Sequence, residues 1–446
     1  MKKRGKKEKA LSLILAGTMC ISLAACGGNS GSSGNGGSDG SGNAADSGSQ
    51  NTGQSVGGSL TMAIWDNAQL PGLKEIVGDF TAETGIEVDL QVVPWDQYWT
   101  LLEAGAQGGT LPDVFWMHSN YSQKFMSNDI LLDLTDRIAQ SDVINLDNYY
   151  EDITGLYQYD GKTYAIPKDY DTIALWYNKT LFDEAGISYP DESWTWETLS
   201  ENAQKLTDKD KGQYGFVSPA VFNQDGYYNF IYTMGGSVLS DDKTKSEWDS
   251  PETIEAMNWW YDNLVTTCMP TQEVMAENTP DVLLGSGRVA MILQGSWMVA
   301  AMKGNEYIDQ NCDVAVLPKS NDGVRKTIYN GLGWSSCANT AHPEEAWKLL
   351  EYLGSEAAQK KQAELGVTMS AFEGTSDTWV NCAPEFNLKA YLDMTEDMVI
   401  RPYTKNTKTW EDYSQSTMVK AYTGEMTMEE VCRDIAEYMN EQIADE

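Results

Sequence analysis

Aromatic and small polar side chains come directly after three predicted strands of this 446-residue chain. An aromatic ring can cover the apolar face of a small molecule, while carboxylate, carboxamide, hydroxyl and imidazole groups hydrogen-bond to its polar rim. Both kinds of side chain at strand ends are typical of a binding site for a small polar molecule. The side chains in question are Trp65 and Asp66, then His118, Ser119 and Asn120, and then Trp297.

The aromatic composition narrows the chemistry of that molecule. The chain has 15 Trp and 23 Tyr against nine Phe, so most of its aromatic rings carry a polar tip. Sugars combine apolar C–H faces with a rim of hydroxyl groups, which such rings and their polar neighbours can match. The composition favours a sugar, while peptides, polyols and glycerophosphodiesters stay open as ligands. Packing is the alternative role for each Trp, and we expect it for Trp259 and Trp260.

Catalysis has weaker support in the sequence. The only histidines are His118 and His342, and nucleophile-elbow, phosphate-loop, dinucleotide-binding and zinc-protease motifs are all absent from the sequence. A glycosidase needs only two carboxylates at a suitable separation, and 66 Asp and Glu residues cannot exclude such a pair. No segment resembles a glycosidase, so we predict that the protein is not an enzyme, with a secreted glycosidase as the enzymatic alternative.

We expect neither a metal nor another cofactor. Besides Cys20 and Cys26 the chain has five cysteines, which lie far apart and form no Cys-x-x-Cys pair. An odd number cannot all pair within one chain, so we expect mostly buried thiols, and one disulfide stays open. These five are Cys268, Cys312, Cys337, Cys382 and Cys432.

Alternating strands and helices must position the candidate side chains. The first predicted strand is 60–64. A helix then begins at Pro71, has apolar residues at helical spacing as far as Phe80, and ends at Gly85. A strand with one apolar face follows, and Asp96 then opens a second helix. Repeated βα units predict a mainly parallel sheet with helices on both faces. We place Tyr98, Leu101 and Leu102 on the inner face of the second helix.

The same alternation returns in the second half, with predicted strands at 174–177, 289–293 and 314–317 and helices from 196 and across 346–353. About 388 residues follow position 58, too many for one ordinary core. The predicted fold class is therefore α/β, with two lobes that are each a mainly parallel sheet flanked by helices. Ligands of such sheets bind outside the carboxyl ends of the strands, which predicts a cleft between the lobes.

The first 58 residues differ from the rest. Six basic residues precede an apolar run at 11–23, which is too short to span a bilayer as a helix. The sequence Leu23-Ala-Ala-Cys26 resembles the lipobox of bacterial lipoproteins, which implies a signal peptide at 1–25 and a lipid on the Cys26 thiol. Residues 26–58 are then a lipidated cysteine and a flexible Gly/Ser-rich tether. We expect the protein to be anchored by lipid on the extracytoplasmic face of the cell membrane.

The charge balance excludes some partners. The chain has 31 Lys and Arg against 66 Asp and Glu, a formal net charge of −35. This excess argues against nucleic acid and anionic lipid headgroups as ligands. We therefore expect contact with the membrane through the lipid anchor only.

Eight short stretches occur in the same order as in the family 1 extracellular solute-binding proteins, which include maltose-binding protein. Each stretch is a weak signal alone, but together they resemble that family over nearly all of the chain after residue 58. They are 80–88 (FTAETGIEV), 109–115 (GTLPDVF), 175–179 (LWYNK) with 181–186 (LFDEAG), 194–197 (WTWE), 214–216 (YGF), 287–291 (GRVAM), 295–297 (GSW) and 331–335 (GLGWS).

The resemblance implies lobes that are discontinuous in sequence, with the chain crossing between them near Tyr170, Trp334 and Thr368. Lobe one then comprises residues 59–170 plus 335–368, and lobe two comprises residues 171–334 plus 369–446. Three more candidate ligand contacts follow at the crossovers, namely Asp169, Tyr170 and Trp334. Arg401 is a further candidate, for a hydroxyl or carboxylate group of the ligand.

The resemblance also implies a function. Members of this family capture a solute and deliver it to the permease of an ABC importer, so we predict a monomer that binds a mono- or oligosaccharide. A glycan-binding adhesin or receptor on the same fold is the alternative that does not involve transport.

Overall fold

A computed structural model describes residues 59–446. The predicted signal peptide, the lipidated Cys26 and the tether lie outside the described residues. Within 59–446, every helix is too short or too polar to cross a membrane.

The described chain alternates strands and helices. The strands are β1 Ser59–Ile64, β2 Glu87–Val92, β3 Val114–Met117, β4 Gln158–Tyr159, β5 Lys162–Thr163, β6 Ala165–Pro167, β7 Ile173–Asn178, β8 Tyr214–Val217, β9 Val289–Gly295, β10 Cys312–Ala315, β11 Thr327–Tyr329, β12 Gly333–Ser336 and β13 Met398–Ile400. The α-helices are α1 Leu70–Thr84, α2 Trp95–Gly108, α3 Ser119–Ser127, α4 Thr135–Gln140, α5 Glu151–Gly155, α6 Lys179–Ala185, α7 Trp196–Lys205, α8 Tyr228–Thr233, α9 Pro251–Trp260, α10 Gln272–Glu277, α11 Pro280–Gly285, α12 Val299–Lys303, α13 Glu306–Asn311, α14 Pro343–Gly354, α15 Glu356–Glu364, α16 Lys389–Asp393, α17 Thr407–Tyr422 and α18 Met428–Ala444.

Two sheets form the framework. The first has the strand order β2-β1-β3-β12-β6, and the second has the order β10-β7-β9-β8. In each sheet one strand runs against all the others, namely β12 in the first and β7 in the second. The two-lobed α/β fold class is confirmed, and the reversed strands are those that the chain enters directly after it passes from the other sheet.

Helix α1 forms where the apolar spacing predicts it. Its proline lies in the first turn, its buried residues extend from Leu73 to Phe80, and Gly85 ends it in the left-handed conformation. Helix α2 differs from the prediction because it begins one residue earlier, at Trp95, and it buries Trp99 instead of Leu101. Leu101 is 39% exposed, so its predicted inward position was wrong.

Three segments that connect the two sheets lie side by side. The backbone amide of Lys168 donates to the carbonyl of Leu332 at 2.8 Å, and that of Asp171 donates to Asn330 at 2.9 Å. A third segment joins them through the isolated bridge between Asp169 and Ser370. Gly331 permits this close approach, because a Cβ there would overlap the Asp169 carbonyl oxygen. The predicted lobe boundaries stay a prediction, although Trp334 lies inside β12 and not in a connecting segment.

The cysteines of the described residues are all free thiols. Those at positions 268, 312, 337 and 432 are buried, and that at 382 is partly exposed. Burial raises the pKa of Cys268 to about 12, so this thiol stays protonated at neutral pH.

Candidate functional site

A cavity of about 540 Å³ lies where the carboxyl ends of strands from both sheets meet. Its lining includes residues directly after β1 and β3 of the first sheet and after β8 and β9 of the second. The volume falls within the roughly 300–1,000 Å³ that is usual for small-molecule sites. Seven of the predicted site residues line it, namely Trp65, Asp66, His118, Asp169, Tyr170, Trp297 and Arg401.

The side of the cavity formed by Trp65, Trp95 and His118, which we call the aromatic wall, is held by ring contacts. Trp65 meets the ring of Trp95 edge-on at 5.0 Å between centroids, and Trp116 packs behind it at 4.8 Å. The His118 ring lies 5.4 Å from that of Trp95. Edge-to-face contacts of this kind fix each ring in one orientation, so the wall presents a preformed apolar surface.

Trp95 is a cavity residue that the sequence analysis missed. It is 38% exposed, lines the cavity and begins α2, with two residues between it and the end of β2 at Val92. The strand-end pattern selects residues that directly follow a strand, so it passes over Trp95. An aromatic residue in the first turn of the next helix is the signal that could have found it.

The opposite side, which we call the mixed wall, contains residues 221–225, Trp297 and Arg401. Trp297 follows β9, and the indole lies against the end of that strand. Gly295 makes this position available, because a Cβ there would overlap the six-membered ring of Trp297. The Gly-x-Trp spacing thus has a direct steric reason.

A buried ion pair supports the mixed wall. Nη2 of Arg401 donates to both carboxylate oxygens of Glu411, at 2.9 and 2.8 Å, and Glu411 belongs to α17. Asn223 accepts a further hydrogen bond from the same nitrogen at 3.2 Å. Burial raises the pKa of Glu411, and the attraction of Arg401 opposes that rise. Since a guanidinium does not deprotonate in proteins, the ionised carboxylate is the form that matches it.

His118 faces the cavity as a neutral ring. Its Nδ1 accepts a hydrogen bond from the backbone amide of Asn120 at 3.1 Å, so the proton of the neutral ring lies on Nε2. Nε2 lies 3.1 Å from the side-chain carboxamide of Asn330. Rotating this carboxamide by 180° exchanges its oxygen and nitrogen, so its oxygen can accept a hydrogen bond from Nε2–H. Burial, together with the nearby Arg401, lowers the pKa of His118 well below its ordinary value.

A buried lysine that the sequence analysis did not select holds two cavity carboxylates in place. Lys168 is fully buried, and its Nζ donates to Asp169 at 2.5 Å and to the Gln69 oxygen at 3.0 Å. The Gln69 amide in turn donates to Asp66 at 2.9 Å. The Lys168 ammonium also lies 4.5 Å from the centre of the Trp116 ring.

Asp171 and Asp225 are further acidic residues of the cavity that the sequence analysis missed. Asp171 accepts hydrogen bonds through Oδ1 from the Gln224 side chain at 2.7 Å and the Asn330 amide at 2.9 Å. Burial and, after it, the neighbouring Asp169 raise the pKa of Asp171. Burial raises the pKa of Asp225 to about 7.

Three predicted contacts do not line the cavity. Trp334 is 1% exposed within the first sheet, where its ring packs near Trp116, because β12 is an inner strand of that sheet. Ser119 and Asn120 are buried in the first turn of α3. The side-chain amide of Asn120 donates to the Glu411 carboxylate at 2.8 Å. These residues support the walls from behind. Among residues 59–446, no cluster of three His, Cys, Asp or Glu side chains could hold a metal ion.

Comparison with known proteins agrees with this architecture. The family model for bacterial extracellular solute-binding proteins matches residues 75–386. A binding protein of Brucella abortus is 26% identical over 84% of this chain and 91% of its own length. The galactooligosaccharide-binding protein of Bacillus subtilis is 25% identical over 80% of this chain and 79% of its own length. The ABC substrate-binding protein of Listeria monocytogenes, solved with cycloalternan, superposes with a TM-score of 0.79 at 24% identity, covering 86% and 99% of the two chains.

The chain belongs to the bacterial extracellular solute-binding protein family, as the matched residues establish. The family predicted from the ordered motifs is therefore confirmed. Both of these relatives are named as binding proteins.

Proposed function

We propose that this protein captures a carbohydrate in the cavity between its two sheets and delivers it to an ABC permease. The observation that carries the proposal is the pairing of indole rings with fixed polar groups around one cavity. Trp65 and Trp297 are partly exposed, Trp95 is exposed, and Trp297 comes from the second sheet. Such rings cover the C–H faces of a sugar, while carboxylate, imidazole and guanidinium groups meet its hydroxyls. Relatives named for galactooligosaccharide and a structure solved with cycloalternan support a sugar as the ligand class.

The proposed site comprises the seven predicted residues that line the cavity, together with Trp95, Asp171 and Asp225. We assign these residues to a single ligand because their side chains border one continuous space. Lobe one at 59–170 plus 335–368 and lobe two at 171–334 plus 369–446 would close on it, since a solute that touches both lobes binds the closed state better.

A panel of mono- and oligosaccharides with neutral, amino and acidic members tests the proposal. Thermal-shift measurements on the purified protein identify the ligand, and calorimetry then gives the Kd. We expect at least one sugar to raise Tm and to lower the radius of gyration in solution scattering. If no member of the panel binds, carbohydrate capture is wrong. Release of reducing ends from the bound sugar would instead support the glycosidase alternative.

Membrane attachment through Cys26 is the remaining part of the proposal, and it rests on the sequence of residues 1–58. Cys26→Ala should release the protein from the membrane or stop its maturation, and sugar binding by the folded body should persist. A stable anchor needs more than one acyl chain, so mass spectrometry should find at least two. A variant that stays in the membrane at the mature mass of the wild type would contradict the anchor.

A further inference from the structure

The charged groups around the cavity are unequal in number and in kind. The carboxylates of Asp66, Asp169, Asp171 and Asp225 line it, whereas Arg401 is the single Lys or Arg among the lining residues that the structure describes. An excess of acidic residues alone does not identify a ligand. The partners of each group decide which charges remain available.

The positive charges near the cavity are already matched. Arg401 contacts both oxygens of Glu411, and Lys168, behind the wall, contacts Asp169 at 2.5 Å. His118 adds no charge, because burial lowers its pKa. Among the described residues, the charge of each cationic group along this surface is therefore already balanced by a carboxylate of the protein.

Two carboxylates keep oxygen atoms that the protein leaves free. Asp171 uses Oδ1 for its two donors, and its Oδ2 has no hydrogen-bond donor within residues 59–446. Apart from its own backbone amide, no residue of the described part of the chain donates a hydrogen bond to Asp225. Both side chains are partly exposed and line the cavity, so a ligand can reach them.

A buried donor in the same cavity also points to a ligand. Arg401 is 6% exposed, and its Nε has no acceptor among the described residues. A buried N–H without a partner is costly, and a ligand hydroxyl group would satisfy it. The cavity thus offers a donor for a hydroxyl group and two acceptors for a group that is rich in donors.

From this arrangement we infer that the cavity prefers a polyhydroxylated ligand that carries an ammonium group, such as an amino sugar or an aminocyclitol, and rejects acidic sugars. The inference rests on the proposed function. An ammonium has three donors and no acceptor, which suits the free oxygens of Asp171 and Asp225. Charge-assisted hydrogen bonds are shorter and stronger than neutral ones. A ligand carboxylate or phosphate would gain no such pairing and would face a like charge on either acid once that acid ionises.

Titration of the free carboxylates supports the same ligand. Burial raises the pKa of Asp225 to about 7, with Asp281 adding to the rise and Arg401 opposing it. Burial, Asp169 and Asp225 raise the pKa of Asp171, and Arg401 opposes that rise too. An ammonium group favours the ionised carboxylates, so its binding near pH 7 should release protons. A neutral sugar has no charge with which to produce this effect.

Sugars of the same ring configuration that carry an amino group, no charge or a carboxylate test the inference. Calorimetry on the purified full-length protein compares neutral hexoses, their 2-amino forms and their uronates in the gluco, galacto and manno series. In at least one series we expect the amine to bind about tenfold more tightly than the neutral sugar and the uronate not to bind. The heat of amine binding at pH 7 should vary with the ionisation enthalpy of the buffer, as proton release requires.

Substitutions locate the effect. Asp225→Asn and Asp171→Asn should each bring the ratio of amine to neutral affinity toward one and reduce the proton release. Asp129→Asn is the matched control, since Asp129 is exposed outside the cavity and its φ of 54° is one that Asn tolerates. The control removes the same charge and should leave the ratio unchanged.

Each outcome decides one claim. If only neutral sugars bind, including any found in the larger panel, or if uronates bind as well as the neutral forms, the inference is overturned and the proposed function stands. If no sugar of any charge binds, both are overturned. An amine preference that survives both cavity substitutions would also overturn the inference, because it would arise elsewhere.

Discussion

The two walls of the cavity are stabilised by different kinds of interaction. Rings support rings in the aromatic wall, where Trp65 meets Trp95 and Trp116 at contact distance. Hydrogen bonds and the buried Arg401–Glu411 pair support the mixed wall. An apolar ring surface can select a ligand by shape alone, whereas a polar wall discriminates by charge and by hydroxyl position. We therefore expect shape selectivity to depend mainly on the aromatic wall and charge selectivity mainly on the mixed wall, with Asn120, which donates to Glu411, as the point where the two walls are joined.

Breaking the ion pair should damage the mixed wall most. Glu411→Ala leaves Arg401 buried without a counter-charge, and such a loss costs about 3–5 kcal/mol of unfolding free energy. Urea unfolding measures it. Glu411→Gln keeps a hydrogen-bond acceptor and should cost less than the Ala variant. Equal stability of Glu411→Ala and wild type would show that the pair does not support the wall.

Trp334 tests the first sheet behind the aromatic wall. Because this indole is 1% exposed, Trp334→Ala should lower the unfolding free energy by about 3–5 kcal/mol through the cavity that it leaves. Calorimetry on the folded fraction should find the wild-type sugar affinity, since the ring does not line the site. A tenfold loss of affinity with little loss of stability would instead make Trp334 a ligand contact, as the sequence suggested.

Trp95 and Trp297 compare the two walls directly. Covering roughly 60–80 Å² of a sugar face at ~25 cal/mol per Å² gives about 1.5–2 kcal/mol. Trp95→Ala and Trp297→Ala should each weaken binding about tenfold or more, as calorimetry would show. Because Trp95 also contacts the rings of Trp65 and His118, urea unfolding of the same variant is needed to separate lost stability from lost affinity. If both variants keep the wild-type Kd, the ligand lies outside the space between these rings.

The last prediction concerns the pH dependence of the mixed wall. The pKa of Asp225 is about 7 in the folded protein against 3.8 for the free side chain. The folded state therefore holds more protons between these values, and this residue makes stability fall as pH rises from about 4 to 7. The slope is at most about 1.4 kcal/mol per pH unit for one proton. Denaturant unfolding across this range should show a steeper fall for wild type than for Asp225→Asn, and parallel curves would contradict the shift.

Local patterns in the sequence predicted one part of the site and not the other. The strand-end rule found Trp65, His118 and Trp297, because each follows a short apolar strand that is legible in the sequence. It could not find Asp171 or Asp225, which lie in irregular segments without periodicity. Trp334 stays a predicted ligand contact, but its ring does not line the cavity, because the connecting segment ends at Leu332 and Trp334 belongs to an inner strand of the sheet.

Polar contacts between residues far apart in the chain could not be predicted from local sequence patterns. Lys168 reaches Gln69 across 99 positions of the chain, and Asn120 reaches Glu411 across 291. Helix α1 was predicted in full because its apolar spacing and its terminal glycine are both local signals. The fold class could therefore be predicted, whereas the support of the walls depends on pairings that only the folded chain brings together.

The hydrogen bonds at the crossovers have a consequence for anyone who wishes to convert this protein into a sensor. Asp169 and Asp171 border the cavity, yet they also accept the backbone amides of Leu332 and Asn330 in a neighbouring connecting segment. Altering either acid to change the analyte would therefore also alter the stiffness of the joint that produces the signal. A library should randomise Asp225 and Trp297, which accept no backbone amide from the connecting segments, and leave both crossover acids in place.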